Sequence, residues 1–138
     1  MNIPKNALIL VVDGRKTLFL RNTGDGENVE LATDSYNDRS EGETPGADGY
    51  GKHSTHEGDR HQLEEDRNAT DAANQLRIRA LDGDFEALVI IAPPKTLGEL
   101  RKHLHKEVAS RIVMELAKEM TDRSLPEIAT LLMSENAS

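Results

Sequence analysis

The apolar positions of this chain come in short blocks, and the period of each block predicts its element. The most continuous block, Ala87–Ala92, is too short for a buried helix and lacks the alternation of a half-exposed strand. It predicts a central strand covered on both faces. Pro93 and Pro94 cannot donate ladder hydrogen bonds and end that strand. Thr96-Leu97-Gly98-Glu99 then has the spacing of a capping box, which predicts a helix from about Leu97 to His103 that buries Leu97, Leu100 and Leu104. Near the N-terminus, Asn6–Asp13 and Arg15–Asn22 flank Asp13-Gly14, a pair suited to the left-handed conformations of a tight hairpin turn. Leu8, Leu10 and Val12 fall on one face of the first strand and Ile9 and Val11 on the other. Leu18 and Leu20 oppose Phe19 in the second, so both strands are expected to be covered on two faces. Gly24-Asp25-Gly26 marks a further turn, and Val29 and Leu31 alternate with Glu30 in an expected edge strand from about Glu27 to Ala32.

From Thr33 to Asn68 almost no aliphatic residue remains, and such a stretch cannot repay the entropy of ordering a core. A long acidic mobile loop is expected over 33–68. Helical periodicity resumes at Ala69, Ala72, Ala73, Leu76 and Ala80, with Asn68 as the expected N-cap and Gly83 as the stop. Val108, Ile112, Leu116 and Met120 repeat every four residues and suit a helix, whereas Ile112, Met114 and Leu116 alternate and suit a strand. Pattern alone leaves both open. Ser124-Leu125-Pro126-Glu127 is a second capping box, with Ile128, Leu131 and Leu132 continuing a final helix. If 111–119 is a strand, the order is βββαβαβα over a single domain, 1–138. That is the order of a ribonuclease H-like α/β fold with a mixed five-stranded sheet and helices packed on it.

Composition narrows the classes. The chain has 138 residues, no Cys or Trp, two Phe and two Tyr, so the core must be aliphatic, and disulfides, thiolate metal sites and thiol nucleophiles are excluded. The apolar stretch at Ala7–Val12 is shorter than a signal-peptide core, and no stretch could span a bilayer, so a cytoplasmic protein without membrane insertion is expected. The net charge of −8 is local: residues 23–69 hold 13 Asp/Glu against 4 Lys/Arg, and the remainder is close to neutral. Non-specific DNA binding is not expected from that balance.

Asp13 ends the first strand, where ribonuclease H-like nucleases place a metal-binding carboxylate. The chemistry needs several carboxylates converging on a metal, and the central strand offers none, so Asp13 reads as a turn residue. His53, His56 and His61 stand with Glu57 and Asp59 in one Gly-rich segment; three imidazoles could ligate zinc, but their spacing matches no metal motif, and a solvated polar segment is the plainer reading. No cofactor is implied, and no Ser, His and Asp set suggests a hydrolytic triad. Lys95 and Thr96 precede a helix at the carboxyl end of the central strand, a place where open α/β sheets bind ligands and helix amides favour anions. Arg101, Lys102, His103, His105 and Lys106 form a basic cluster able to contact RNA or an acidic protein, or simply a solvated helix face.

Four segments carry a family resemblance: VVDGRKTLFL at 11–20, GDRHQLE at 58–64, LVIIAPPKTLGELR at 88–101 and VMELAKEMTDRSLPEIATLL at 113–132. Together they resemble the bacterial host attachment protein family, over nearly the whole chain and in order. Gly58, Arg60, His61 and Leu63 match its loop-to-helix signature, while the usual Thr-Asp-Pro is replaced by Arg67-Asn68-Ala69-Thr70. On this resemblance Arg60 and His61 join Lys95, Thr96, Arg101 and Lys102 as candidate binding residues. The family is similar to the middle domain of archaeal and eukaryotic peptide-chain release factors, which implies the ribonuclease H-like sheet and favours a strand at 111–119. In release factors the loop corresponding to the acidic connector carries Gly-Gly-Gln; here the nearest piece is Gly49-Tyr50-Gly51-Lys52, without glutamine. The resemblance implies a non-enzymatic cytoplasmic interaction protein with a protein partner whose identity the sequence does not give. The alternative it implies is a ribosome- or tRNA-associated factor, and a third is a metal-dependent hydrolase built on the loop histidines. Nothing in the sequence sets the oligomeric state.

Overall fold

In a computed structural model, which describes residues 3–38 and 57–137, three strands come first: β1 (Leu8–Val12), β2 (Lys16–Asn22) and β3 (Leu31–Asp38). A 25-residue helix, α1 (Glu57–Leu81), leads to β4 (Leu88–Ala92), then α2 (Pro94–Arg101), a one-turn α3 (Lys106–Ala109), β5 (Ile112–Ala117) and α4 (Leu125–Ala137). The strands form one sheet in the order β3-β2-β1-β4-β5. β2 runs antiparallel to β1 and β3, whereas β4 runs parallel to β1 and β5. This is the mixed five-stranded, single-domain α/β fold that the element order implied, with a strand at 112–117.

Strict period-2 alternation sends the strand side chains into two cores. Leu8, Leu10, Val12, Phe19 and Ile90 face α1, α2 and α3, while Ile9, Val11, Leu18, Leu20 and Ile91 face α4. Every residue of β1 and β4 is fully buried, so each large aliphatic there contributes about 1.5–3 kcal/mol of burial free energy. A β-bulge between Leu88 and Val89 steps the β4–β5 register past Val113. The third strand lies at the sheet edge, as expected, but it is shifted along the chain. Val29 is buried in a loop, not a strand; Asp25 Oδ1 accepts from the amides of Glu27 (2.9 Å) and Asn28 (2.8 Å), and β3 pairs with β2 over Leu31–Asp38.

Other boundaries also move. Residues 33–38, expected in the loop, are strand, and 57–68 are helix, so the stretch between β3 and α1 is 39–56 and lies outside the described residues. Asn68 does not cap α1 but sits inside it. Gly83 does end the helix: its φ is +74°, and Gly83 N–H donates to Ala80 O and Asp84 N–H to Arg79 O, the paired bonds of a Schellman closure. The box at Ser124 forms as expected, with Glu127 N–H on Ser124 Oγ (3.2 Å) and Ser124 N–H on Glu127 Oε1 (2.9 Å). The box at Thr96 does not. Pro94 occupies the first helical position, where its fixed φ is already helical, so α2 starts two residues before Thr96 with Pro93 as a cap lacking a side-chain bond.

Candidate functional site

The chain leaves β1 toward β2 on one side and leaves β4 toward β5 on the other, so the carboxyl ends of β1 and β4 flank the crevice where open α/β sheets hold ligands. Asp13 lies at this crevice, immediately after β1. Its Oδ1 accepts from the amides of Arg15 (2.8 Å) and Lys16 (2.6 Å), closing the turn, and its Oδ2 accepts from Thr121 Oγ (2.7 Å) after β5. Thr121 also reaches Glu119 Oε1 at 3.2 Å, and Lys16 Nζ is paired with Asp122. That contact raises the lysine pKa and lowers the aspartate's. Asp13 is therefore a turn residue, as read from the sequence, and also a latch between residues 108 positions apart.

Asn68 supplies the second tie. It is 1% exposed, and its Nδ2 donates to Asp13 O at 2.6 Å while its Oδ1 accepts from Thr17 Oγ at 3.2 Å. One carboxamide thus fixes α1 to the β1–β2 turn. Gly14 stands against α1 as well, since a Cβ there would run into the Glu65 side chain. Among the described residues the positive-φ glycine is Gly83, so Gly14 is required by close approach and not by a left-handed turn.

Asn68 marks the level of the sheet edge, so the eleven residues of α1 before it rise past that edge by about 16 Å at 1.5 Å per residue. Arg60 and His61 lie on this projecting part of the helix, His61 one turn before Glu65. Glu65 Oε1 stands 3.7 Å from Lys95 Nζ at the start of α2, which brings Lys95 and the projecting helix to one corner. A carboxylate already faces the cation there. Thr96 is buried inside α2 and does not cap it. His53 and His56 lie outside the described residues; among the described residues no three His, Asp or Glu side chains gather as a metal site.

The basic cluster is at a different place and is largely neutralised. Arg101 Nε donates to Glu115 Oε1 at 3.1 Å, Lys102 pairs with Glu99 at 3.3 Å, and His103 stands 3.9 Å from the same Glu99. His105 is an N-cap, its Nδ1 accepting from Glu107 N–H at 3.0 Å. The sequence separates these acids from their partners by 3 to 14 positions, and only the β5 register shows that Glu115 faces α2. No described helix is long and apolar enough to cross a membrane.

Among solved structures, the crystal structure of the archaeal translation termination factor aRF1 is similar, with a TM-score of 0.47 and 10% identity over 94% of this chain and 37% of that one. A second, described as an archaeal protein, has a TM-score of 0.46 and 13% identity over 94% and 36%. The chain spans a little over a third of the length of either. No curated protein matches the sequence. The model of one family, described as bacterial archaeo-eukaryotic release factor family 12, matches residues 6–132 from the start of the first strand to the last turns of α4, and the chain belongs to that family.

Proposed function

We propose that the protein is a ribosome- or tRNA-associated factor related to the release-factor middle domain, acting without peptide release. The family match over residues 6–132 carries this reading. It displaces host attachment as the leading interpretation, because the matched family is described by its relation to release factors. The geometry agrees with a reaching role. β3 ends and α1 begins at the same end of the sheet, where β1 also ends, and the first turns of α1 extend beyond it. By the resemblance in sequence the connector between them corresponds to the release-factor loop, and its Gly49-Tyr50-Gly51-Lys52 lacks the glutamine that ester hydrolysis uses there. The role is accordingly binding and not catalysis, in the cytoplasm.

Ribosome co-sedimentation at moderate and high salt tests it. A specific complex stays with the ribosomal pellet at salt that strips non-specific cations from phosphate. Recovery only in the supernatant at both salts rejects the reading. One observation favours a second reading, a protein partner in place of RNA: Glu99 and Glu115 already neutralise Lys102 and Arg101, which reduces the field a phosphate backbone would feel.

A further inference from the structure

The sheet has two edges, and they are finished differently. The edge strand β3 carries Asp34 and Asp38, and a bulge leaves Asp34 opposite no residue of β2, between Thr33 and Ser35, which are both paired. Charges and bulges of this kind keep an edge from accepting a further strand. At the other edge β5 is IVMELA, five apolar residues and one Glu. Its bulge comes early, at Val113, and residues 114–117 then pair with β4 in unbroken register.

The ladder on the inner side of β5 fixes which of its main-chain groups stay open. Leu8 N–H donates to Ala87 O at 3.0 Å and Leu88 N–H to Arg111 O at 2.8 Å, so residues 87, 89 and 91 turn toward β1 and residues 88, 90 and 92 toward β5. Ile90 stands opposite Glu115, and in a parallel ladder it bonds the residues on either side of its opposite, Met114 and Leu116. The N–H and C=O of Glu115 and of Ala117 therefore point away from the sheet. Among the described residues no other strand and no loop main chain bonds them. A row of such groups is the template on which an extended peptide adds a strand.

The charges around these groups select the partner. Residues 99–119 hold five Lys/Arg against four Glu, or +1, and the rest of the chain therefore carries −9 of the total of −8. Each of the four acids is already engaged: Glu99 with Lys102, Glu107 with Arg111, Glu115 with Arg101 and Glu119 with Thr121. Arg101 gives both Nε and Nη2 to one oxygen of Glu115, which leaves other guanidinium donors for a second carboxylate. Lys118, directly after Ala117, is exposed and pairs with no acid among the described residues.

We propose that the outer edge of β5 receives an extended segment of a partner protein as a sixth strand, apolar at alternate positions and carrying carboxylates toward Arg101 and Lys118. Its apolar side chains continue the sheet face on which Met114 and Leu116 pack, and the unbranched methionine adapts to what it meets. A second copy of β5 is the wrong occupant, because a two-fold pairing sets Arg101 and Lys118 of one chain beside the same cations of the other, and like charges oppose contact. A nucleic acid supplies negative charge without the alternating main-chain donors and acceptors that Glu115 and Ala117 call for. This contact is independent of any binding to the ribosome.

The probe is a synthetic peptide of alternating valine and threonine with two aspartates at each end. Fluorescence anisotropy with the full chain should show saturable binding at submillimolar peptide. Methylating the peptide's amides, or exchanging its aspartates for lysines, should each weaken binding roughly tenfold or more. Bound peptide should slow amide hydrogen exchange at Glu115 and Ala117 roughly tenfold or more and leave Leu116, already in the ladder, unchanged. Ala117→Pro removes one outward donor at an edge position where proline is tolerated, and should abolish binding. Lys118→Glu should weaken it roughly tenfold, whereas Arg77→Glu, the same charge change on the exposed side of α1, should not. No binding at millimolar peptide overturns the proposal, as does binding that survives both amide methylation and Lys118→Glu. Slowed exchange at Glu115 and Ala117 on adding oligouridylate in place of peptide, or on concentrating the chain alone, also overturns it, in favour of RNA or of a second copy.

Discussion

The carboxamide of Asn68, in the middle of α1, donates to the main-chain carbonyl of Asp13 at 2.6 Å and places the long helix against the turn that ends β1. The same side chain accepts from Thr17 Oγ, so removing it takes these bonds from the buried Thr17 hydroxyl and the half-buried Asp13 carbonyl. Asn68→Ala should lower stability by about 1–3 kcal/mol, the usual cost of leaving buried partners unsatisfied. Urea unfolding of the two proteins measures it; equal midpoints would mean that water replaces the carboxamide without loss.

Gly14 and Gly24 both stand too close to neighbours for a Cβ, but the neighbours differ. At Gly24 the obstacle is the carbonyl oxygen of Asn28, held by Asp25 N–H at 3.0 Å, in a loop further tied by Asn22 Oδ1 to the amides of Gly24 and Glu30. At Gly14 it is the Glu65 side chain, which can swing away at the expense of its contact with Lys95. Gly24→Ala should cost about 2 kcal/mol or more and Gly14→Ala clearly less. In the Glu65→Ala background the Gly14→Ala effect should nearly vanish, which a double-mutant cycle of melting temperatures reads directly.

How much of this was legible follows from where each signal lies. β1, β2 and β4 are written in their own apolar residues, and the alternation assigned Leu10 and Ile9 to opposite cores correctly. β3 carries exposed polar residues, and its structure comes from ladder bonds to β2, so Thr33–Asp38 read as loop. The sequence of the first turns of α1 carries no apolar stripe; the acids Glu57 and Asp59 near its start, which suit a helix dipole, are the available clue. Asn68 looked like a cap because caps favour Asn, while its real partners, Asp13 and Thr17, lie more than 50 positions away. Likewise the basic cluster looked free because Glu115 reaches Arg101 only once β5 has paired with β4.

At the opposite end of the sheet, Asp84 accepts from Arg21 (2.8 Å) and Arg79 (2.9 Å), and Arg79 also bonds Asp34 (2.7 Å) while lying 4.6 Å over the buried Phe19 ring. Arg21 first, and Arg79 with it, holds the Asp84 carboxyl below the usual aspartate range. A pKa lowered by folding contributes stability above the unfolded value, about 3.9, and that contribution disappears as pH falls through the folded value. The Asp84 side chain is 37% exposed, so solvent screening limits the pairs to about 0.5–1 kcal/mol. Asp84→Asn should be less stable than wild type by that amount at neutral pH, with the gap closing from about pH 4 downward. A gap unchanged at pH 3 would locate the loss in packing, not charge.

Whether the basic cluster serves a phosphate ligand is decided by freeing it. Glu115 holds Arg101 from β5 and Glu99 holds Lys102 from within α2, and both cations are otherwise well exposed, at 57% and 68% of their side chains. Glu99→Gln with Glu115→Gln removes two negative charges and leaves both cations available, at a stability cost of about 1 kcal/mol or less, since these pairs are at the surface. If the protein meets ribosomal or transfer RNA through α2, the double variant should bind more tightly at low salt, and the slope of log affinity against log salt should steepen by about one to two. If the partner is a protein met elsewhere, such as at the projecting end of α1, affinity and slope should both stay at the wild-type values. Weaker binding in the double variant would assign the two glutamates a different task, holding Arg101 and Lys102 in the orientation that the partner requires, and Arg101→Ala should then reproduce the loss.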